Sequence, residues 1–116
     1  MKIITLCGST KFFNEFDDAM LKLTLAGWSV FSIGTHKFSD QELQQVIERK
    51  VMLDKMHKEK IDTSECIFVI DVNGYTGNST KSEIAHAIKT GKPIYYLSKG
   101  DLPKLVGKQL LKVKYP

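Results

Sequence analysis

Glu83 is the side chain on which chemistry in this chain can turn. It ends the run Thr80-Lys81-Ser82-Glu83, at the opening of a helix that follows a buried strand-like stretch, Cys66 to Asp71, and a loop of Gly, Asn, Ser and Thr. In an open parallel sheet, ligands settle beyond the carboxyl ends of the strands. A carboxylate kept ionised there by a helix N-terminus has what a nucleophile requires. The same four residues also spell a capping box, in which Glu at the third helical position reaches back to the N-cap amide. One rotamer cannot serve both purposes.

Other residues near the expected sheet edge carry double readings. The first strand ends in Gly8-Ser9-Thr10-Lys11 at a helix start, where small residues and free N–H groups favour an anion. Ser9 or Thr10 can equally be a plain helix cap. Neither a GxGxxG nor a GxxxxGK[ST] pattern is present, so dinucleotide and P-loop readings have no motif behind them. Asp71 can hold a ribose hydroxyl or cap the loop backbone. Tyr75 can stack on a base or simply pack. Gly77, Ser79, Thr80 and Lys81, with Gly34 in the loop after the second strand, complete the candidate ligand-binding set. His36, His57 and His86 do not have zinc-ligand spacing, so no metal and no cofactor is expected. Cys7 and Cys66, at the ends of apolar runs, read as small hydrophobes rather than a redox pair.

These residues need a scaffold. Apolar β-branched runs at residues 2–7 and 66–71 suit strands buried on both faces, with further strands at 28–33 and 94–97. Between them lie helical patterns: one to about residue 26, with Phe12, Phe13, Phe16, Ala19, Met20, Leu23 and Leu25 apolar and Gly27 as its stop; a long polar one at 40–60, with Leu43, Val46, Ile47, Val51, Leu53 and Met56 at helical spacing and room for a break; and one carrying Glu83, ending at Gly91. The tail at 102–113 reads as a short helix and an edge strand. The alternation predicts one α/β domain over residues 1–116, a three-layer α/β/α sandwich with a four- to five-stranded parallel sheet of flavodoxin-like or Rossmann-like type. Hydrophobic residues at 42% and charged residues at 26% exclude disorder, and no apolar run is long enough to span a membrane. The net charge of +4 reads first as a solvated lysine face; as a binding field it fits a small phosphorylated ligand better than nucleic acid, for which there is no motif. With no export signal, the cytoplasm is the expected location.

Cys7-Gly8-Ser9 closing the first strand, the strand Ile67–Val72 (IFVIDV), and Ser82-Glu83-Ile84-Ala85-His86-Ala87 ahead of Gly91-Lys92-Pro93-Ile94 together resemble the nucleoside 2-deoxyribosyltransferase-like superfamily, which includes deoxynucleoside 5′-monophosphate N-glycosidases. The likeness covers residues 2–9 and 61–97. It implies a hydrolase or transferase acting on the N-glycosidic bond of a nucleoside or nucleotide, with Glu83 attacking the anomeric carbon. The family's general acid, an Asp, falls on His57 here; Asp54, one turn earlier, is the alternative donor, and an exposed helix histidine is the plain reading of His57. The loop Gly77 to Ser82 replaces the family's glycine-rich approach with hydroxyls and Lys81, which favours a phosphate. A neighbouring subunit's contribution falls on the region Leu102-Pro103-Lys104-Leu105, which offers only Lys104. The resemblance also implies a homodimer or higher homo-oligomer. A non-catalytic nucleotide-binding module on the same fold is the competing reading.

Overall fold

The structure, a computed structural model, describes residues 2–32 and 39–116. β1 (Ile3–Gly8) lies at the centre of a parallel sheet with β2 (Ser29–Phe31) on one side and β3 (Cys66–Ile70) on the other; β4 (Ile94–Tyr96) completes the order β2-β1-β3-β4. Ile4 pairs with Cys66 and Cys7 with Val69, which fixes the register of the two buried strands. The sequence leaves a flavodoxin-like or a Rossmann-like sheet open, and this order is the flavodoxin-like one.

The period of two along a strand sorts its side chains onto opposite faces. Ile4 and Leu6 of β1, with Cys66, Phe68 and Ile70 of β3, face one core, where they meet Phe16, Ala19 and Leu23 of α1 (Phe13–Leu25). Cys7, Ile67 and Val69 face the other core and meet Ile61 and Ala87. Those two residues belong to α3 (Lys50–Thr63) and α4 (Asn78–Lys89). The result is the three-layer sandwich. Cys7 and Cys66 are both buried, free and on opposite sides of the sheet, so they form no redox pair. Leu25, one of the apolar residues of the first helical pattern, is 77% exposed, because α1 turns its buried stripe through Phe16, Ala19 and Leu23.

α1 stops as its sequence directs. Trp28 N–H donates to Leu23 C=O and Gly27 N–H to Thr24 C=O, a Schellman closure that needs the positive φ of 100° at Gly27. The long polar pattern breaks at Arg49 into α2 (Asp40–Glu48) and α3. α2 buries none of its residues, and Leu43, Ile47, Val51 and Met56, the apolar residues at helical spacing along the pattern, are all exposed.

The tail departs from the expected helix. It forms an antiparallel hairpin of β5 (Asp101–Val106) and β6 (Gln109–Lys114), turning at Gly107, whose φ of 62° suits the first position of a tight two-residue turn. Distant partners decide the matter. Trp28 Nε1 donates to Pro103 C=O at 2.9 Å, Leu105 N–H to Ala26 C=O, and the Tyr115 hydroxyl to Asp18, while the Tyr115 ring stacks on Phe68. Leu102 and Pro103 are buried in this closure and Lys104 is exposed. Among the described residues no helix is long and apolar enough to cross a membrane.

Candidate functional site

The site is built by two helices clamped against one face of the sheet. α3 is pinned to β1 where Thr5 Oγ1 hydrogen-bonds Ser64 Oγ and the Lys60 carbonyl. Lys60 Nζ also donates to the Ser32 carbonyl after β2. At one end of the α3–α4 pair, Lys50 Nζ donates to Ser79 Oγ at 2.7 Å. At the other, Lys92 Nζ donates to the Asp62 and Ser64 carbonyls, and His86 Nε2 meets Asp62 Oδ1 at 2.6 Å. Two rigid rods held at both ends leave little freedom to what lies between them.

Between them lie His57 and Glu83. Thr80, Glu83 and Ala87 form the buried stripe of α4 at helical spacing, as His57 and Ile61 do on α3. The capping-box reading of Thr80 to Glu83 does not hold. α4 starts at Asn78 with Gly77 as N-cap and no side-chain cap, so Glu83 is the sixth helical residue. Its carboxylate turns inward instead: Oε2 lies 3.2 Å from His57 Nε2, with the two side chains 11% and 4% exposed. His57 is therefore a buried residue, not an exposed helix histidine.

This pair is not a satisfied structural one. Among the described residues, the two ring nitrogens of His57 are the buried side-chain polar atoms with no hydrogen-bond partner, since the contact to Glu83 lacks hydrogen-bond geometry. Burial pushes the Glu83 carboxyl up to about 7, reinforced by the charge of Asp54 and opposed by Lys58 and Lys50. The expectation of a carboxylate held ionised by the helix dipole is thus corrected: desolvation in the second turn outweighs the N-terminal field. Burial, then Lys60, pushes His57 down to about 4, so its ring is neutral at neutral pH. Two groups close enough to share a proton titrate as a unit. Between about pH 4 and about pH 7 this pair retains one proton.

Cys7 is the third member and the one that sequence reasoning missed. Its thiol, the His57 nitrogen and a Glu83 oxygen all lie within 4.8 Å of one another, and all three residues are buried. Burial, with the nearby Glu83 charge, raises the Cys7 thiol well above its usual range. The signal was present in the alternation of β1: Thr5 and Cys7 share the face that receives α3 and α4.

The other expected residues distribute as follows. Gly8 is required by packing, since a Cβ there would stand 2.9 Å from the Ile70 carbonyl oxygen. Ser9 caps the short 3₁₀ turn Thr10–Phe12, accepting from Lys11 N–H. Lys11 Nζ lies 3.6 Å from the Tyr75 ring centroid, and Tyr75 sits edge-on to Phe12, so the Gly8–Lys11 loop and the loop before α4 meet. Asp71 is a backbone cap: its oxygens accept from Ser98 N–H at 2.8 Å and Ser98 Oγ at 2.6 Å. Thr80 is buried, Lys81 exposed, and Ser79 engaged by Lys50. Asp54 is half-buried and bound to Lys50 at 2.8 Å. It borders a groove of about 480 Å³ along α3, whose lining does not include Glu83. Gly34 and His36 lie outside the described residues. No protein-family model, curated protein or solved structure matches the chain.

Proposed function

We propose that this protein cleaves or exchanges the N-glycosidic bond of a (deoxy)nucleoside or nucleoside monophosphate, with Glu83 as nucleophile. The observation that carries the reading is the freedom of Glu83 from capping: a buried, inward-turned carboxylate on the helix that follows β3, beside a histidine with no hydrogen bond. Glu83 Oε attacks the anomeric carbon as the bond to the base nitrogen breaks, and the electron pair leaves with the base. The departing nitrogen takes a proton that comes from solvent and is relayed by Asp54, the half-buried carboxyl bordering the groove along α3. Water, or a second base, then releases the sugar from Glu83.

His57 is too deeply buried to touch a departing base and acts as a positioning residue beside Glu83, whose proton is lost to solvent as pH rises through about 7. Lys50, Ser79, Lys81 and the uncapped N–H groups of α4 favour a 5′-phosphate. The exposed apolar residues Leu43, Ile47, Val51 and Met56 support assembly with further copies of the chain, which sedimentation at several concentrations measures directly.

The test is incubation with each deoxynucleoside monophosphate and chromatography of the free base. Base release that disappears in Glu83→Gln supports the proposal. Thermal stabilisation by nucleotides without any base release overturns it in favour of a binding module, and neither effect overturns both readings.

A further inference from the structure

From the convergence of Cys7, His57 and Glu83 we infer that this cluster is a binding site for a thiophilic divalent metal of the zinc type. Three donors of three chemical classes arrive from three elements, β1, α3 and α4, and their ligating atoms fall within 4.8 Å of one another. Adjacent ligands around a tetrahedral zinc stand roughly 3.3–3.6 Å apart, given Zn–S near 2.3 Å and Zn–N and Zn–O near 2.0–2.2 Å. The His57–Glu83 separation of 3.2 Å is about 0.1 Å short of that range.

A second observation points the same way. His57 is 3% exposed, and neither ring nitrogen has a hydrogen-bond partner. Leaving a buried polar group unsatisfied costs roughly 1–3 kcal/mol, a penalty that a bound cation removes.

Charge and softness select the ion. A thiolate and a carboxylate together neutralise a divalent cation, so the loaded cluster carries no net charge into the low-dielectric interior. Sulfur with imidazole favours Zn²⁺, Co²⁺ or Cd²⁺ over Mg²⁺ and Ca²⁺. Binding displaces the Cys7 proton and whatever proton Glu83 holds, so affinity rises with pH. Three protein ligands leave a fourth position for water. If Glu83 is the nucleophile proposed above, the metal occupies it and inhibits turnover; metal binding itself does not depend on that reading.

The experiment uses chelator-stripped full-length protein titrated with Co²⁺ under argon. The expected result is one ion per chain, visible d–d bands of tetrahedral intensity, a near-ultraviolet thiolate-to-cobalt band, and displacement of all of them by Zn²⁺. Cys7→Ser removes the charge-transfer band, Glu83→Gln weakens binding at least tenfold, and Cys66→Ala changes neither. Far-UV circular dichroism checks the fold, and His57→Gln, expected to weaken binding at least tenfold, replaces Cys7→Ser if that variant does not fold. Absence of the bands at millimolar Co²⁺, bands that survive Cys7→Ser, or tight binding unaffected by His57→Gln overturns the inference. Bands without base release from nucleotides leave the metal site standing and remove the glycosidic reading; base release without bands does the reverse.

Discussion

Two histidine–carboxylate pairs bridge α3 and α4, and they differ in almost everything except residue type. His86 of α4 meets Asp62 of α3 at 2.6 Å in solvent, with side chains 24% and 53% exposed. His57 of α3 meets Glu83 of α4 at 3.2 Å in the interior, with side chains 4% and 11% exposed. The outer pair has a hydrogen bond and water around it; the inner pair has neither full hydrogen-bond geometry nor solvent. Water screens the first and keeps it worth little. Desolvation drives both members of the second towards their neutral forms, which is how a fold stores reactivity in ordinary side chains.

The widest separation between the pairs is expected in turnover. Glu83→Gln keeps the shape of the carboxyl but cannot form the glycosyl ester, so base release falls by at least about a thousandfold. Asp62→Asn leaves it within about twofold. Equal losses in both variants, read by free-base chromatography, would erase the functional distinction. The pH profile sharpens the same point. kcat/KM rises with pH through about 7 as Glu83 ionises, and a profile flat from pH 6 to 8 contradicts the assignment.

Stability against pH separates the inner pair into its members. Glu83 has a raised folded pKa, so the stability it contributes is present below about 4.5 and is lost as pH rises through about 7, a cost of about 3 kcal/mol. His57 has a depressed folded pKa, so its contribution is present above 6.5 and is lost as pH falls towards about 4. Between 4.5 and 6.5 the two slopes oppose each other, and the native chain shows little net change from this pair. Glu83→Gln exposes the His57 slope alone: urea midpoints give a gain of about 2 kcal/mol from pH 5 to 8, where the native chain moves by less than about 1. A parallel pH dependence in the two proteins would mean that His57 and Glu83 do not share a buried site.

Asp71 supplies the opposite control, a buried carboxylate whose partners are complete. Asp71→Ala removes the acceptor for Ser98 N–H and Oγ and costs about 2–3 kcal/mol by urea unfolding. Turnover per folded molecule stays unchanged. Loss of activity in a stable Asp71→Ala protein would return this residue to the ligand-binding set.

The sheet was legible because β1 and β3 are continuous apolar runs and because Gly27 and Gly91 mark helix ends. The hairpin was not. Leu102, Leu105, Leu110 and Val113 tolerate a helical spacing, and what selects strands is the distant meeting of Pro103 with Trp28 and of Tyr115 with Asp18 and Phe68. Glu83 was found through its position after β3, but its role depended on where α4 begins, and a start two residues before Thr80 abolishes the capping box. A genuine capping box sits at Ser39 and Glu42, on the helix that buries nothing. Asp54 and His57 were reached by likeness to a known pattern, whereas Cys7 required knowing which face of β1 the two helices cover.

The smallest effect expected is in the outer pair itself. Asp62→Asn removes the charge from the carboxylate facing His86 yet keeps an oxygen acceptor there, and it leaves the Asp62 backbone carbonyl free to accept from Lys92. The α3–α4 clamp therefore persists through Lys92 and through Lys50 with Ser79. Exposed ion pairs contribute about 0–1 kcal/mol and are screened by salt, so the variant loses less than about 1 kcal/mol, and that loss shrinks further in 0.5 M salt. A loss above about 2 kcal/mol, insensitive to salt, would mean that the outer pair helps to register the helices, and that His57 and Glu83 owe their proximity to it.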